Sequence, residues 1–228
     1  ILEGTPRDII HRYEKIPTSV FEIESQGVDY VAQQIVEAIK AHEEQSPNSL
    51  FALGLTTGRT PIGMYHELVR RYEAGEVSFK NVVVYGLDEF YPIKWTEQQS
   101  RSRRIKEDLL DKIDIKPENI HLIDGTTPLE EVSAYCAEYE RMARNLDLMV
   151  IGMGEQGQLG FNEAGAYAKS VTRMVQLSYQ SRKKQSGNFY GIENTPRMAI
   201  TMGLNTIMNA KRIIIMAWGE GKADVVKK

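Results

Sequence analysis

Short apolar runs that alternate with amphipathic helices constrain the fold of this chain more than any other feature. Apolar runs typical of buried strands lie at 49–55, 81–87, 119–122, 146–152, 172–177, 199–202 and 212–218. Helical periodicity separates them at 28–41, 60–72, 100–112, 127–144 and 205–210, and a last helix begins at 219. A helix between two strands returns the chain to the same end of a sheet, so the strands run parallel. We therefore predict an α/β fold with an open, mostly parallel sheet and helices on both faces.

The length and the lack of internal boundaries predict one domain. The chain has 228 residues, enough for one well-filled core. It shows no repeat, low-complexity tract or linker. Because the chain ends just as a helix starts, we expect residues 1–228 to form a single domain that lacks its C-terminal end.

Charge and hydropathy argue against two classes of partner. The net charge is -3 with both signs spread along the chain, and Arg182–Lys184 is too short a basic cluster to indicate a nucleic-acid site. No apolar run approaches the ~20 residues of a membrane span, and no signal peptide opens the chain. We therefore expect a protein that binds neither nucleic acid nor membrane.

Cysteine and histidine usage indicates the compartment and argues against a metal. Cys136 is the only cysteine, which fits a reducing cytoplasm and excludes a disulfide framework. The four histidines show no ligand spacing with one another or with carboxylates. We predict a cytoplasmic protein without a metal site.

Polar residues that follow the first strand predict a phosphate cradle. The strand enters the turn Thr56-Thr57-Gly58-Arg59-Thr60, and a helix begins near Pro61. Backbone N–H groups at a helix start bind anions, and the threonine hydroxyls and the Arg59 guanidinium add donors. The pattern of a P-loop is absent. A tight capped turn without a ligand is the alternative.

Carboxylates and a lysine follow three other strands. Asp88 and Glu89 come after the second strand; one of them would face a cleft where burial raises its pKa, unless the two form a solvated loop pair. Glu163 lies in a glycine-rich loop and Lys222 in the first turn of the last helix. Ligands of open α/β sheets bind beyond the carboxyl ends of the strands, so these groups are candidate site residues. A solvated acid and a surface lysine are the alternatives.

The glycine pattern of 152–157 also permits a dinucleotide site. Gly152-Met-Gly-Glu-Gln-Gly157 matches Gly-x-Gly-x-x-Gly after a strand. The stretch 158–166 does not have the pattern of the required helix, and no acid stands at a strand end ~20 residues later. We therefore disfavour nicotinamide binding.

Five motifs resemble those of the glucosamine-6-phosphate deaminase/isomerase family, in the family's order. They are Thr57-Gly-Arg-Thr-Pro61, Gly75-Glu-Val-Ser-Phe-Lys80, Asp88-Glu-Phe90, Phe161-Asn-Glu163 and Gly219-Glu-Gly-Lys-Ala223. The resemblance implies a Rossmann-like fold, shared with 6-phosphogluconolactonases. It also implies formation of fructose 6-phosphate and ammonia, and a reaction that consumes no cofactor.

The resemblance assigns roles to individual residues. Asp88 matches the base that moves a proton between the first two sugar carbons, and Glu163 matches a carboxylate of the ring-opening group. The resemblance assigns phosphate binding to Thr57, Gly58, Thr60 and Lys222. The phosphate cradle predicted after the first strand adds Thr56 and Arg59. The segment 181–196 resembles the family's lid, without its phosphate-binding arginine.

The chain departs from the family inside the glycine turn. Gln156 stands where an aspartate is usual, and Gln158 where a histidine is usual. Histidine relays a proton near neutral pH, whereas an amide only holds a substrate oxygen by hydrogen bonds. Two hypotheses follow: an isomerase or deaminase with Asp88 as base, or a sugar-phosphate binding or regulatory protein that has lost turnover.

The resemblance leaves assembly and regulation open. Relatives are often oligomeric, so a homo-oligomer is one possibility. Some have an allosteric site lined by basic residues; Arg173 is kept in that region, while Val175 stands where a second basic residue is usual. Hexosamine-phosphate feedback is therefore only weakly indicated.

Overall fold

A five-stranded parallel sheet forms the centre of the protein. The computed structural model describes residues 16–227. The strands of the central sheet are β1 (Phe51–Leu55), β2 (Val82–Gly86), β4 (Ile120–His121), β5 (Leu148–Gly152) and β8 (Arg212–Met216). Their order is β4-β2-β1-β5-β8, and all the pairings are parallel. The predicted α/β architecture with a mostly parallel sheet is confirmed.

Helices cover both faces of this sheet because successive strand residues point to opposite sides. Leu53, Val84 and Val150 pack with α1 (Glu24–Gln45), α2 (Ile62–Glu73) and α3 (Arg101–Asp108). Val83, Met149 and Ile151 pack on the other side with α4 (Val132–Ala143) and α6 (Leu204–Met208). The strands therefore lack polar alternation, as is typical of parallel strands buried on both faces.

A second, antiparallel sheet adjoins the carboxyl end of the first. It consists of β3 (Asp88–Tyr91), β7 (Met198–Thr201) and β6 (Arg173–Gln176), in the order β3-β7-β6. The Leu87 N–H donates to the Leu55 carbonyl at 2.8 Å, and the Met202 N–H donates to the Leu87 carbonyl at 2.9 Å. Leu87 thus joins the two sheets, and Asp88 is the first residue of the second.

Several element boundaries differ from those predicted. The helix expected from Thr127 begins at Val132, because the 124–127 segment is held in a turn. The Thr127 hydroxyl donates to the Asp124 carbonyl at 3.1 Å, and the Tyr91 hydroxyl donates to the Thr127 carbonyl at 2.9 Å. The helix expected from Thr60 begins at Ile62.

The remaining short elements lie in the last third of the chain and between α3 and β4. The helix α5 (Tyr179–Gln185) precedes a 3₁₀ turn at Ser186–Phe189, and α7 (Ala223–Lys227) follows one at Glu220–Lys222. Two more 3₁₀ turns lie at Leu110–Lys112 and Pro117–Asn119. None of the helices between residues 16 and 227 has the length and apolarity of a membrane span.

Gly203, before α6, lies against backbone and permits a test of this packing. A Cβ at Gly203 would overlap the Ser170 carbonyl, whereas a Cβ at Gly187 would meet nothing within 4 Å. Because backbone cannot move aside cheaply, we expect Gly203→Ala to lower the free energy of unfolding by about 1–3 kcal/mol. Gly187→Ala is the control and should change it by less than ~0.5 kcal/mol. Urea denaturation measures both, and equal stability of the two variants would contradict this packing.

Candidate active site

The turns that follow β1, β2, β5 and β8 meet at one edge of the central sheet. The turn after β1 contacts the turns after β5 and β8, because a Cβ on Gly152 would lie 3.3 Å from the Thr60 side chain and the Trp218 indole donates to the Thr60 carbonyl at 3.0 Å. It reaches the start of β3 through Arg101, which binds both Thr57 and Asp88. The carboxyl edge therefore brings most of the candidate residues together, as expected for an open α/β sheet.

Asp88 is a buried carboxylate at the floor of this site. Its side chain is 1% exposed, and the Arg101 Nη1 lies 2.9 Å from Oδ1 and 3.1 Å from Oδ2. Burial raises the pKa of Asp88 above the ordinary range for aspartate, while the Arg101 guanidinium opposes this rise and the Glu89 carboxylate adds to it. A carboxylate with a raised pKa is suited to accept a proton.

Glu89 is buried and holds the start of α3 by hydrogen bonds. The alternative that Asp88 and Glu89 form a solvated loop pair is therefore wrong. The Glu89 carboxylate accepts hydrogen bonds from the Phe90, Arg101 and Ser102 N–H groups and from the Ser100 hydroxyl, at 2.7 to 3.0 Å. Three of these donors belong to the start of α3, where unpaired N–H groups attract negative charge. Glu89 thus anchors α3 while Asp88 faces the site.

The threonine turn places the cradle residues in different environments. Thr56 is buried, and its carbonyl accepts a hydrogen bond from the Tyr65 hydroxyl of α2. The Thr57 hydroxyl accepts from Arg101 Nη1 at 3.0 Å. Gly58 has a φ of 109°, a conformation that favours glycine, and a Cβ there would meet nothing within 4 Å. The turn therefore presents open backbone at Gly58, and Arg59 beside it is exposed.

The glycine turn after β5 uses the Gln158 amide internally. The Gly154 N–H donates to the Gln158 carbonyl, and the Gln156 N–H donates to the Gln158 Oε1, both at 2.9 Å. The Gln158 side chain lies directly over Gly154, where any Cβ would overlap it. Gln156 itself is exposed. Gln158 therefore stabilises the turn through its side-chain oxygen and its backbone carbonyl, and Gln156 contributes its backbone N–H.

The Phe161-Asn162-Glu163 segment connects the site to its surroundings. Phe161 is buried against Phe90, with 5.1 Å between ring centroids. The Asn162 amide donates to the Leu159 and Met202 carbonyls, and its Oδ1 accepts from Arg173 at 3.0 Å. The Glu163 carboxylate accepts the Ser178 N–H, at 3.2 and 3.3 Å from its two oxygens, and thus binds the residue that caps α5.

Lys222 reaches across to the turn after β5. Its Nζ donates to the Met153 carbonyl at 2.8 Å, and burial together with the nearby charge of Lys184 lowers its pKa. Lys184 of α5 pairs with Glu155 of the glycine turn at 2.9 Å. Two ammonium groups and one carboxylate thus lie beside the turn, a balance that favours an anionic ligand.

The structure unites some of the candidate residues and leaves others apart. Asp88 and Thr57 share Arg101, and Lys222 contacts the glycine turn. Within residues 16–227, neither Gln158 nor Glu163 forms a hydrogen bond to Asp88. Arg101 was not among the residues predicted from the sequence. The available signal was an arginine in the first turn of a helix, where the helix dipole disfavours a cation unless an acid compensates it.

The family description "glucosamine-6-phosphate isomerases/6-phosphogluconolactonase" matches residues 22–228. The chain belongs to this family. Among its relatives, a glucosamine-6-phosphate deaminase of Lysinibacillus sphaericus is 36% identical over 90% of this chain and 86% of its own. A glucosamine-6-phosphate deaminase-like protein of Bacteroides thetaiotaomicron is 37% identical over 97% of this chain, and this chain spans 34% of that relative's length.

Solved structures of the family agree with the fold. A monomeric glucosamine-6-phosphate deaminase superposes with a TM-score of 0.83 at 31% identity, covering 91% of this chain and 84% of its own. A 6-phosphogluconolactonase of Thermotoga maritima superposes with a TM-score of 0.69 at 21% identity, covering 88% and 84%. The second likeness shows the shared fold.

The raised pKa of Asp88 gives a stability prediction. A carboxyl group whose pKa is raised by folding stabilises the protein at pH values below its ordinary pKa, and this contribution is lost as the pH rises through the raised value. We therefore expect the Tm of wild type, measured relative to that of Asp88→Asn, to fall as the pH rises from about pH 4 to neutral pH. Thermal denaturation across this range measures the difference between the two Tm values. The exposed Asp111→Asn serves as control, and a difference that stays constant or grows in favour of wild type as the pH rises would contradict the prediction.

Proposed function

We propose that the protein is a sugar-phosphate aldose–ketose isomerase/deaminase, acting on glucosamine 6-phosphate or a related hexose phosphate. The observation that carries the proposal is the buried Asp88 carboxylate, whose pKa is raised, beside a turn of hydroxyls and open backbone. The products from glucosamine 6-phosphate would be fructose 6-phosphate and ammonia. The free, buried thiol of Cys136 fits a reducing cytoplasm.

The phosphate end of the substrate would bind at the turn after β1 and at Lys222. Thr57 and Thr60 supply hydroxyls, Gly58 supplies approachable backbone, and Lys222 supplies charge from the opposite turn. Thr56 supports the turn from inside, and the exposed Arg59 would contribute at the rim. In this arrangement, the phosphate oxygens would accept hydrogen bonds from backbone N–H groups and from the ammonium group.

Asp88 would carry the proton between C2 and C1 of the open-chain sugar. The carboxylate removes the C2 proton, the C–H electron pair forms a C1–C2 double bond, and the carbonyl pair moves to O1. Protonated Asp88 then returns the proton to C1, while the C2 hydroxyl or amino group loses the proton that O1 gains and becomes a carbonyl or an imine. Water hydrolyses the imine of an amino sugar and releases ammonia.

Ring opening is the step for which this chain lacks the family's histidine. The Gln158 amide cannot relay a proton and is bonded within its turn. Glu163 would reach a ring oxygen only after it releases the Ser178 N–H. We therefore expect Gln158 to hold the turn or a substrate oxygen, and ring opening to limit the rate with cyclic aldose phosphates.

A second candidate function is sugar-phosphate binding without turnover. The observation that favours it is the Gln158 side chain, an amide that cannot relay a proton and that accepts the Gln156 N–H within its own turn. Binding would be common to both functions, while proton transfer would occur only in the first.

Isotope exchange separates the two functions without depending on ring opening by the protein. Fructose 6-phosphate in D₂O, with and without ammonium, should lose C1 proton signal when wild-type protein is added, because Asp88 exchanges the abstracted proton with solvent; ammonium supplies the imine of the deaminase reaction. We expect Asp88→Asn to lower the exchange rate by about 10²-fold or more, the scale of general-base catalysis. Asp111→Asn is the matched control. No exchange by wild-type protein, together with retained binding, would support the binding function.

Phosphate binding is tested at Lys222. We expect Lys222→Met to weaken binding of fructose 6-phosphate about 10-fold or more, because a partly buried charge-assisted contact is lost. Lys183→Met removes an exposed charge from α5 and is the control. Calorimetry measures both dissociation constants, and equal affinities of the two variants would place the phosphate elsewhere.

A further inference from the structure

We propose that Arg101 is a positioning residue for proton transfer, whose guanidinium holds the Asp88 carboxylate in place as an anion. This inference rests on the proposed function, because it assigns Asp88 the role of base. Three features of the structure support it: the ion pair itself, the two aromatic rings beside the guanidinium and the double attachment of residue 101.

The ion pair is the means by which a buried carboxylate stays charged. An unpaired anion away from water is costly, so buried carboxylates bind a cation or accept hydrogen bonds. Arg101 is the only cation within salt-bridge distance of Asp88 in the described part of the chain. Its Nη1 contacts both carboxylate oxygens and the Thr57 hydroxyl, so one nitrogen links the base to the phosphate turn.

Aromatic rings fix the guanidinium from its other side. The Arg101 Cζ lies 4.2 Å from the Phe161 ring centroid and 5.1 Å from that of Phe90. Rings at these distances attract a guanidinium and restrict its rotation. The buried Nε has no hydrogen-bond partner among residues 16–227. The Arg101 side chain therefore keeps its contacts with Asp88 and the two rings, although its Nε is left without a hydrogen bond.

The two adjacent acids of β3 hold the same residue in different ways. Glu89 accepts the Arg101 backbone N–H at 3.0 Å, while Asp88 accepts the Arg101 guanidinium. The start of α3 is thus fixed at its backbone and at its side chain. This double attachment explains why an arginine is tolerated at the first position of α3, where the helix dipole alone would disfavour it.

The charges around Asp88 set the direction of the pH effect. Arg101 faces it from α3, Glu89 adjoins it on β3, and the buried Tyr65 and Tyr139 are neutral because burial raises the pKa of each hydroxyl. Removal of the guanidinium leaves burial and Glu89 to act unopposed. The pKa of Asp88 then rises further, and the base ionises only at higher pH.

The test compares Arg101→Met and Arg101→Lys with Arg104→Met, an exposed arginine on the same helix. The rate of C1 exchange in fructose 6-phosphate is measured from about pH 4 to pH 9. We expect Arg101→Met to shift the acidic limb of the pH–rate profile to higher pH by about one to three pH units, the effect of losing an opposite charge at this distance. Arg101→Lys should reverse part of this shift, and Arg104→Met should leave the limb unchanged. An unchanged limb in Arg101→Met with a uniformly lower rate would show a structural role only and overturn the proposal.

A second measurement keeps the inference separate from the proposed activity. The Asp88 carboxyl is titrated by ¹³C NMR in wild type and in Arg101→Met without ligand, and Asp88→Asn identifies the signal. A higher titration midpoint in Arg101→Met supports the role of Arg101 even if wild-type protein exchanges no proton. An equal midpoint would contradict the inference, whatever the exchange assay shows.

Discussion

The site depends on a buried carboxylate held by one guanidinium. Asp88 is buried where the chain leaves the central sheet and enters the second one, and Arg101 is its cation. The geometry around it follows from this need, since Glu89 anchors the start of α3 and Phe161 supports the guanidinium. The same pairing raises the functional question, because a carboxylate that is held so closely serves as a base only when substrate can reach it.

Sequence patterns predicted the parallel sheet and the place of Asp88, because parallel strands buried on both faces have continuous apolar runs and site residues follow their ends. The partnership of Asp88 with Arg101 could not be predicted, since it joins residues on different elements through tertiary packing. The strand β3 was also missed, because one residue, Leu87, separates it from β2 and its pairing with β7 is non-local. The late start of α4 has a similar cause: the tertiary contact between Tyr91 and Thr127 overrides the helical signal.

Gln158 and Arg101 give the site its character. The Gln158 amide closes its own turn at a position where the resembled family usually has a histidine, while Arg101 places a fixed positive charge beside Asp88. Family membership is shown by the match over residues 22–228 and by relatives at 36% identity. Chemistry built on these residues would favour sugars that arrive in open-chain form, with proton transfer retained and ring opening left to the substrate.

We propose that one site holds the phosphate at the threonine turn and the reacting carbons at Asp88. A crystal structure with an open-chain hexitol 6-phosphate tests it most directly, because this analogue cannot cyclise or react. We expect its phosphate between Thr57 to Thr60 and Lys222, and its C1–C2 end within hydrogen-bond distance of Asp88. A phosphate bound elsewhere, or a C1–C2 end kept away from Asp88 by an unmoved Arg101, would contradict the account.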